Sequence, residues 1–508
     1  MAYWRRFEYP PKVYSSGHLI SAHPTAQVHR AASTGYARAL RPLALAGIAI
    51  GLLTTIADID LWGHVRFGLD ILRDGFASGP DPYTFTQGKP FLYHEWLGGV
   101  VMAVAYRAVG PAGLGLLKAA LGALLFALVW HALRHKTFAW RWGGIAVAAW
   151  VSLPLLTTLR PQLWTAIGVV LVCRILTMRS GVWYLPLLFA VWANLHGGWM
   201  VGGAVLFVWT AVAWAQQQPD RGRLLLVGAV SFVATLLTPY GVELWQFLLE
   251  TVRAPHDDLS EWYSIVRNGA VPIALWSLGV ATLVVSWVKI GRPPAAPLAV
   301  LLVLACGAAS VTRLVPLFGL AAVTLLSAYW PSDAHDGRGT HERLALLAVE
   351  LVFVVIVLVV VFPIRLVPTC VRILDSPYAP DTRAAEALRG TRGRLVTYFD
   401  WGEYALWHFG PALKVSIDGR RETLYTEATL AEQQAIVEGK PAGLAALGRI
   451  APEYVWLPSE ATAAGRWLME NGYRMEVQTP RSFVAVRQDL PSLPGRVADA
   501  ASTCFPGP

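Results

Sequence analysis

The stretch TIADIDLWGHVRFG, residues 55–68, stands at the end of the first long apolar run of the chain, residues 42–57. Two acids, Asp58 and Asp60, follow that run at once, and His64 comes one helical turn after Asp60. Acidic side chains at the edge of a bilayer cost free energy unless they face a cavity or a partner. The stretch therefore predicts a polar site at the point where the chain leaves a membrane.

The composition supports a polytopic α-helical membrane protein. Of the 508 residues, 55% are hydrophobic and only 15% are charged, whereas soluble proteins carry about 25% charged residues. Apolar runs long enough to cross a bilayer recur from residue 40 to residue 364. The net charge of +9 is dispersed over short loops, which argues against a nucleic-acid partner and indicates topology signals instead.

The charges also predict the topology. A twelfth apolar run, 96–109, is short for a crossing, and counting it would place the basic segment RHKTFAWRW, residues 134–142, outside. We therefore expect this run to lie along the outer surface. Eleven runs remain as predicted spans: 42–57, 113–133, 143–159, 163–178, 182–195, 198–215, 223–238, 271–290, 295–312, 314–330 and 344–364.

The topology and a change in composition near residue 365 divide the chain into four parts. Beyond that residue, strand-like and helix-like segments alternate, which predicts a small extracytoplasmic α/β domain without a nucleotide-binding glycine fingerprint. The tail is rich in Pro, Ala and Ser and is predicted to be disordered. The predicted parts are a cytoplasmic tail, 1–41; a transmembrane domain, 42–364, with a first outer loop, 58–112; an α/β domain, 365–490; and a disordered tail, 491–508.

The four cysteines show no metal-binding spacing. Cys173 and Cys306 lie inside apolar runs, so a disulfide framework is not expected. Cys370 and Cys504 could pair if both lie outside the cytoplasm, where disulfides persist.

Polar residues gather on the predicted outer side. Loop 58–96 has six acids against three bases, and loop 239–270 has five acids against two bases. Any one of these residues alone is an ordinary loop or helix-end residue, but their convergence on one side predicts a polar cavity at the outer interface. Besides Asp58, Asp60 and His64, the candidate residues are His94, Glu95, Arg160, Asn194, His196 and Arg313.

Two other interpretations of residues 55–68 stay open. The spacing of Asp58, Asp60 and His64 could hold a divalent cation, Mg²⁺ or Mn²⁺, although carboxylate-plus-histidine spacing is a weak metal signal. Alternatively, both acids merely cap the helix that is predicted to start at Leu61, because Asp is a favoured N-cap residue.

Several motifs resemble integral-membrane glycosyltransferases of the GT-C class, such as aminoarabinose transferases and protein O-mannosyltransferases. DIDLWGH, residues 58–64, with ILRDG, residues 71–75, is similar to the start of their first outer loop, and PYTFTQGKPFLYHEWLGGVV, residues 82–101, to its continuation. TLRPQLW, residues 158–164, and WANLHGGW, residues 192–199, also look like patterns of this class. An acid at this place supports catalysis in the class, so the resemblance implies that Asp60 is the base, with Asp58 second.

The C-terminal region carries a fainter resemblance. VTYFDWGEYALW, residues 396–407, resembles the acceptor-recognition motif of oligosaccharyltransferase catalytic subunits, although the order of residues differs. The resemblance implies that Asp400, Trp401 and Tyr404 contact the acceptor.

The resemblance implies an inverting glycosyltransferase with GT-C architecture in a bacterial inner membrane. Its donor is a polyprenyl-phosphate-linked sugar held in membrane lipid, and its acceptor is an extracytoplasmic glycan, lipid or protein. Positive groups suit the donor phosphate, so Arg160, His94, His196 and Arg313 are its candidate ligands. His64, Glu95 and Asn194 are predicted to bind substrate as well.

Two other functions are weighed against this one. A lipid-linked-sugar transporter or flippase would show charges near the middle of the membrane and an internal repeat of spans, and the sequence shows neither. A non-catalytic scaffold of envelope polysaccharide assembly would keep the same fold but would tolerate loss of Asp60.

The predicted topology can be tested with reporter fusions. A reporter after Trp142 should be cytoplasmic, and reporters after Glu95 and Arg487 should be extracytoplasmic, because this arrangement places the basic loops inside. The measurement is a pair of reporters that are active on opposite sides of the membrane. An external signal at Trp142 would contradict both the eleven-span topology and the surface position of residues 96–109.

Overall fold

The computed structural model describes residues 24–76, 79–253, 259–333, 370–374, 376, 378–498 and 501–507. These residues form a helical part up to residue 327 and a C-terminal part built on a five-stranded sheet. Prolines stand in the first turn of several helices, where their missing N–H costs nothing. The helices of the first part are α1 (Pro24–Leu53), α2 (Leu61–Asp74), α3 (Trp96–Val109), α4 (Pro111–Leu133), α5 (Phe138–Leu156), α6 (Gln162–Met178), α7 (Leu185–Leu195), α8 (Trp199–Ala215), α9 (Arg221–Ala234), α10 (Val242–Arg253), α11 (Ile265–Asn268), α12 (Ala270–Ile290), α13 (Ala295–Ser310) and α14 (Val315–Ser327).

Ten of the eleven predicted spans coincide with helices of the described chain, and the eleventh, 344–364, lies outside the described residues. Two of these helices, α4 and α12, are long and apolar enough to cross a membrane, and the other apolar helices that qualify by composition are shorter. The number of crossings therefore stays a prediction. The run 96–109 is confirmed as one helix, α3.

The C-terminal part contains strands β1 (Gly393–Thr397), β2 (Leu413–Val415), β3 (Tyr454–Pro458), β4 (Tyr473–Gln478) and β5 (Ser482–Arg487) in the order β2-β1-β3-β5-β4. The first three strands are parallel, and β5 and β4 are antiparallel to their neighbours. The accompanying helices are α15 (Thr382–Ala385), α16 (Gly402–Phe409), α17 (Glu427–Val437), α18 (Pro441–Ile450) and α19 (Thr462–Glu470). The small C-terminal sheet with helices is thus confirmed.

The second strand of the sheet ends in a turn, as its sequence pattern predicts. The segment LKVSIDGR, residues 413–420, leaves the sheet after Val415. Its end forms a turn because the Asp418 side chain accepts a hydrogen bond from the Arg420 N–H at 3.1 Å. The turn 418–420 points toward the helical part instead of extending the sheet.

The predicted disorder of the tail is wrong for its described residues. Cys370 and Cys504 form a disulfide, and Phe505 is buried with its ring centroid 5.2 Å from that of Trp62. The Pro506 carbonyl accepts hydrogen bonds from Trp62 Nε1 and His408 Nε2, each at 2.8 Å. A covalent link and one buried aromatic ring therefore hold a segment whose composition alone indicates disorder.

The C-terminal domain and the first outer loop share a sheet edge and a hydrophobic core. Residues 83–86 run beside β2, where the Val415 N–H donates to the Tyr83 carbonyl at 2.8 Å. Trp62 of α2 packs against Tyr404 of α16 with ring centroids 5.5 Å apart. The two parts of the chain are therefore packed as one body at this junction.

A buried ion pair joins the same two parts. Arg420 pairs with Asp418 at 2.7 Å and with Asp81 of the outer loop, and the side chains of Arg420 and Asp81 are only 3% and 5% exposed. The guanidinium also lies over the rings of Phe67 and Phe91. Loss of one partner of such a group leaves a buried charge uncompensated.

We expect Arg420→Ala to loosen the C-terminal domain from the outer loop. Two buried carboxylates would then lack their counter-charge, which typically costs about 3–5 kcal/mol. The measurement is the thermal unfolding midpoint of the purified protein in detergent. Arg389→Ala is the control, because Arg389 forms a mostly exposed pair with Glu386, and such pairs contribute about 0–1 kcal/mol. Equal midpoints for the two variants would contradict the role of Arg420.

Candidate active site

The chain between α1 and α2 is held in an extended conformation by two other segments. The Ile56 N–H donates to the Thr157 carbonyl and the Ala57 N–H to the Arg372 carbonyl, each at 2.8 Å. These hydrogen bonds bring the end of α5 and the start of the C-terminal part to the same place. As a result, Asp58 and Asp60 emerge beside Arg160, which follows α5.

The acids and two arginines form what we call the acid–arginine cluster: Asp58, Asp60, Arg160, Glu261 and Arg313. Arg160 Nη2 lies 2.5 Å from Asp58 Oδ2, and Arg160 Nη1 lies 3.0 Å from Glu261 Oε2. Arg313 Nη1 approaches the other oxygen of Glu261 at 3.5 Å. The Glu261 carboxylate therefore lies between two guanidinium groups.

Asp58 and Asp60 differ in the partners of their side-chain oxygen atoms. Asp58 accepts the Asp60 N–H at 3.2 Å and pairs with Arg160, so both of its oxygens are engaged. Asp60 lies 3.9 Å from Arg160 Nη2, its side chain makes no capping hydrogen bond, and 34% of it is exposed. The capping alternative is therefore wrong for Asp60, whose carboxyl group is partly exposed.

The cap of α2 comes from a residue that the sequence reasoning did not single out as a site residue. Glu403 of α16 accepts the Gly63 N–H at 2.8 Å through Oε2. A Cβ at Gly419 would lie 2.5 Å from Asp60 Oδ1 and 2.7 Å from Glu403 Oε1. The carboxyl groups of Asp60 and Glu403 thus both lie against Gly419.

This crowding of carboxyl groups changes their acidity. Burial, the neighbouring Asp58 carboxylate and the Glu261 and Asp400 carboxylates raise the pKa of Asp60 well above its usual range, and Arg160 opposes them. Burial and the charges of Asp60 and Asp418 likewise raise the pKa of Glu403. A proton is therefore held more tightly in this pair than in ordinary carboxyl groups.

Three predicted histidines converge on Glu95 and form what we call the histidine cluster: His64, His94, His196 and Glu95. The Nε2 atoms of His94 and His196 lie 3.3 Å from Glu95 Oε1, and His64 Nε2 lies 3.7 Å from Glu95 Oε2. Burial alone would raise the pKa of Glu95, but His94 and His196 lower it to well below the usual range. Glu95 is therefore ionised.

His196 and Asn194 also have structural roles. The Nδ1 atom of His196 accepts the Gly198 N–H at 2.9 Å and lies 2.6 Å from the Thr165 hydroxyl, and burial lowers the pKa of His196 to about 4. Asn194 accepts the Trp96 indole N–H at 2.7 Å. Asn194 therefore fixes α7 against α3, and His196 presents a neutral Nε2–H to Glu95.

The predicted acceptor residues of the C-terminal domain divide into two groups. Asp400 is half-buried and close enough to Asp60 to affect its pKa. Trp401 and Tyr404 are each 1% exposed, with the Trp401 ring packed against Trp456 at 4.7 Å. Acceptor contact by Trp401 and Tyr404 is contradicted, because both rings belong to the hydrophobic core.

The predicted cation site finds no support in the described part of the chain. No group of three or more His, Cys, Asp or Glu side chains among the described residues could hold a metal ion. Asp58 is already paired with Arg160, and His64 Nδ1 lies 3.1 Å from the Tyr93 hydroxyl. Asp58, Asp60 and His64 therefore do not fit Mg²⁺ or Mn²⁺ as ligands.

An apolar groove opens beside the histidine cluster. Its volume is about 490 Å³. Trp96, next to Glu95, and Asn194, two residues before His196, belong to its lining. The remaining lining is mostly apolar: Leu97, Ala190, Val191, Leu237, Thr238 and Pro239. The groove lining therefore includes direct chain neighbours of the histidine cluster.

Comparison with known proteins gives little further help. No protein-family model matches the chain, and no curated protein matches it. Among solved structures, the chain is similar to the cryo-EM structure of the arabinofuranosyltransferase AftD from mycobacteria, with a TM-score of 0.46 and 15% sequence identity. The match covers 91% of this chain but only 40% of that chain. Similarity at this level does not indicate an activity for the chain.

Proposed function

We propose that the chain is an integral-membrane glycosyltransferase that moves a sugar from a polyprenyl-phosphate-linked donor to an extracytoplasmic acceptor. The observation that carries the proposal is the state of Asp60. Its carboxyl group makes no capping hydrogen bond, is 34% exposed and lies 3.9 Å from Arg160 Nη2. We call the space that it faces the recess. The GT-C-like motif around Asp60 gives the class of reaction.

Asp60 acts as the general base. The acceptor hydroxyl attacks the anomeric carbon of the donor sugar and gives its proton to the Asp60 carboxylate, while the bond from that carbon to the phosphate oxygen breaks. One such displacement inverts the anomeric configuration. A base works best when its pKa lies near the operating pH, and the raised pKa of Asp60 moves it in that direction.

Arg160 and Arg313 receive the phosphate of the donor. Both guanidinium groups contact the Glu261 carboxylate, so an anion already occupies the space between them. Arginine binds phosphate and carboxylate with the same donor geometry. A donor phosphate can therefore take the place of Glu261 and keep its negative charge matched as the bond to the sugar breaks.

The lipid part of the donor needs an apolar surface beside this site. The groove near Trp96 and Leu237 supplies one, and it adjoins the histidine cluster. The polyprenyl chain lies in this groove, while the phosphate and the sugar reach the polar recess. His64, His94, His196 and Glu95 border the sugar between the two.

The placement of the site at the outer face of a bacterial inner membrane is part of the proposal. The positive-inside rule supports it, and the Cys370–Cys504 disulfide agrees with it, because disulfides persist outside the cytoplasm. Phe505, which follows Cys504, packs against Trp62 of α2.

We expect Asp60→Asn to abolish transfer in purified protein reconstituted with polyprenyl-phosphate-linked sugars. Loss of a general base typically lowers the rate by about 10²–10⁴-fold, whereas Asn keeps the size of the side chain. The measurement is the rate of labelled sugar transfer to acceptor, together with donor binding, which should survive. Asp74→Asn is the matched control, because Asp74 is an exposed acid at the end of the same helix.

Two results would count against this assignment. Near-normal transfer by Asp60→Asn would remove Asp60 as the base, and Asp58→Asn would be tested next. Absence of transfer by the wild-type protein from every polyprenyl-phosphate sugar, with donor binding absent as well, would contradict the glycosyltransferase proposal itself.

A further inference from the structure

Helix α2 is capped by a residue that lies 340 positions away in the sequence. We propose that Glu403 is a positioning residue for the base: its carboxyl group takes over the capping of α2 and leaves the Asp60 carboxyl group free to face the substrate. This inference rests on the proposed function. Through Glu403, the C-terminal domain would hold the base in position for the transfer reaction.

The need for a cap follows from the helix itself. The first backbone N–H groups of a helix have no partner within the helix, and an Asp at the N-cap position usually accepts one of them. Asp60 occupies the N-cap position of α2 but makes no such bond. Glu403 Oε2 accepts the Gly63 N–H instead, and Glu403 is only 5% exposed.

Two glycines make room for this arrangement. A Cβ at Gly63 would overlap the Glu403 carboxyl group, and a Cβ at Gly419 would press on both Asp60 and Glu403. These glycines belong to different segments, α2 and the turn 418–420. Space for one carboxyl group is therefore provided from both sides of the domain junction.

The same contacts explain why Glu403 matters for Asp60. Without Glu403, the Gly63 N–H would lose its acceptor, and the nearest residue of the right type is Asp60 at its natural capping position. A capping Asp60 would no longer face the recess. The charged groups that face Glu403 are Asp60, Asp418 and Arg420.

Substitutions at Glu403 test the proposal. Glu403→Gln keeps an oxygen that can accept the Gly63 N–H, so it should retain most of the transfer activity. Glu403→Ala should lower kcat by about 100-fold, as expected for a displaced catalytic group, with the KM for the donor little changed. Glu386→Ala, a change elsewhere on the same domain, is the control and should leave kcat at the wild-type value.

A merely structural role of Glu403 would affect the yield of folded protein and not kcat. Both Glu403 variants would then lower the yield of folded protein, but kcat per folded molecule would stay the same. Wild-type kcat in Glu403→Ala would overturn the proposal, and so would a Glu403→Gln variant as inactive as Asp60→Asn. If Glu403→Ala does not fold, Gly419→Ala serves instead, because its Cβ would push Asp60 and Glu403 apart and should lower kcat in the same way.

The inference can also be tested if the proposed function fails. A structure of Glu403→Ala should show the Asp60 side chain turned to accept the Gly63 N–H. An Asp60 side chain that still faces the recess in that variant would overturn the inference without reference to any activity. Absent transfer by the wild-type protein bears on the proposed function alone.

Discussion

The capping of helix α2 by Glu403 is the interaction on which the rest of the site depends. It brings a carboxyl group from the C-terminal domain onto the backbone of the first outer loop. The buried Arg420 pair and the contact of Trp62 with Tyr404 hold the same two parts together. Because the parts are fixed in this way, Asp60 is released from its usual structural role and lies at their junction.

Charge pairing is the reason why we propose Asp60, and not Asp58, as the base. Asp58 is neutralised by Arg160 at 2.5 Å, and Glu261 draws Arg160 and Arg313 toward itself. Asp60 is left at the edge of this network, where burial and neighbouring acids raise its pKa. A carboxylate that holds a proton strongly is a better base than an ordinary surface Asp. The acid–arginine cluster therefore pairs Asp58 with Arg160 and leaves Asp60 with a raised pKa.

The sequence predicts those parts of the site that depend on local position. Asp60 and His64 are predictable because they follow an apolar run, and α3 is predictable because residues 96–109 are themselves an apolar run. Glu403 could not be found in this way, since its partner is the backbone of Gly63. Motif resemblance predicts Trp401 and Tyr404 at the acceptor, but both rings are buried in the core at the start of α16. The disorder of the tail is predicted from its composition, and composition cannot show that Cys504 pairs with Cys370.

We propose that the residues around Asp60 raise its pKa so that it can act as a base. The sharpest test of this proposal is the pH dependence of transfer. Because Asp60 must be ionised to accept a proton, kcat should fall as the pH is lowered through its raised pKa. We expect an acid limb in kcat centred well above the ordinary Asp value of about 3.9, measured over a pH range in which the protein stays folded. A kcat that stays constant down to the ordinary Asp range would contradict it.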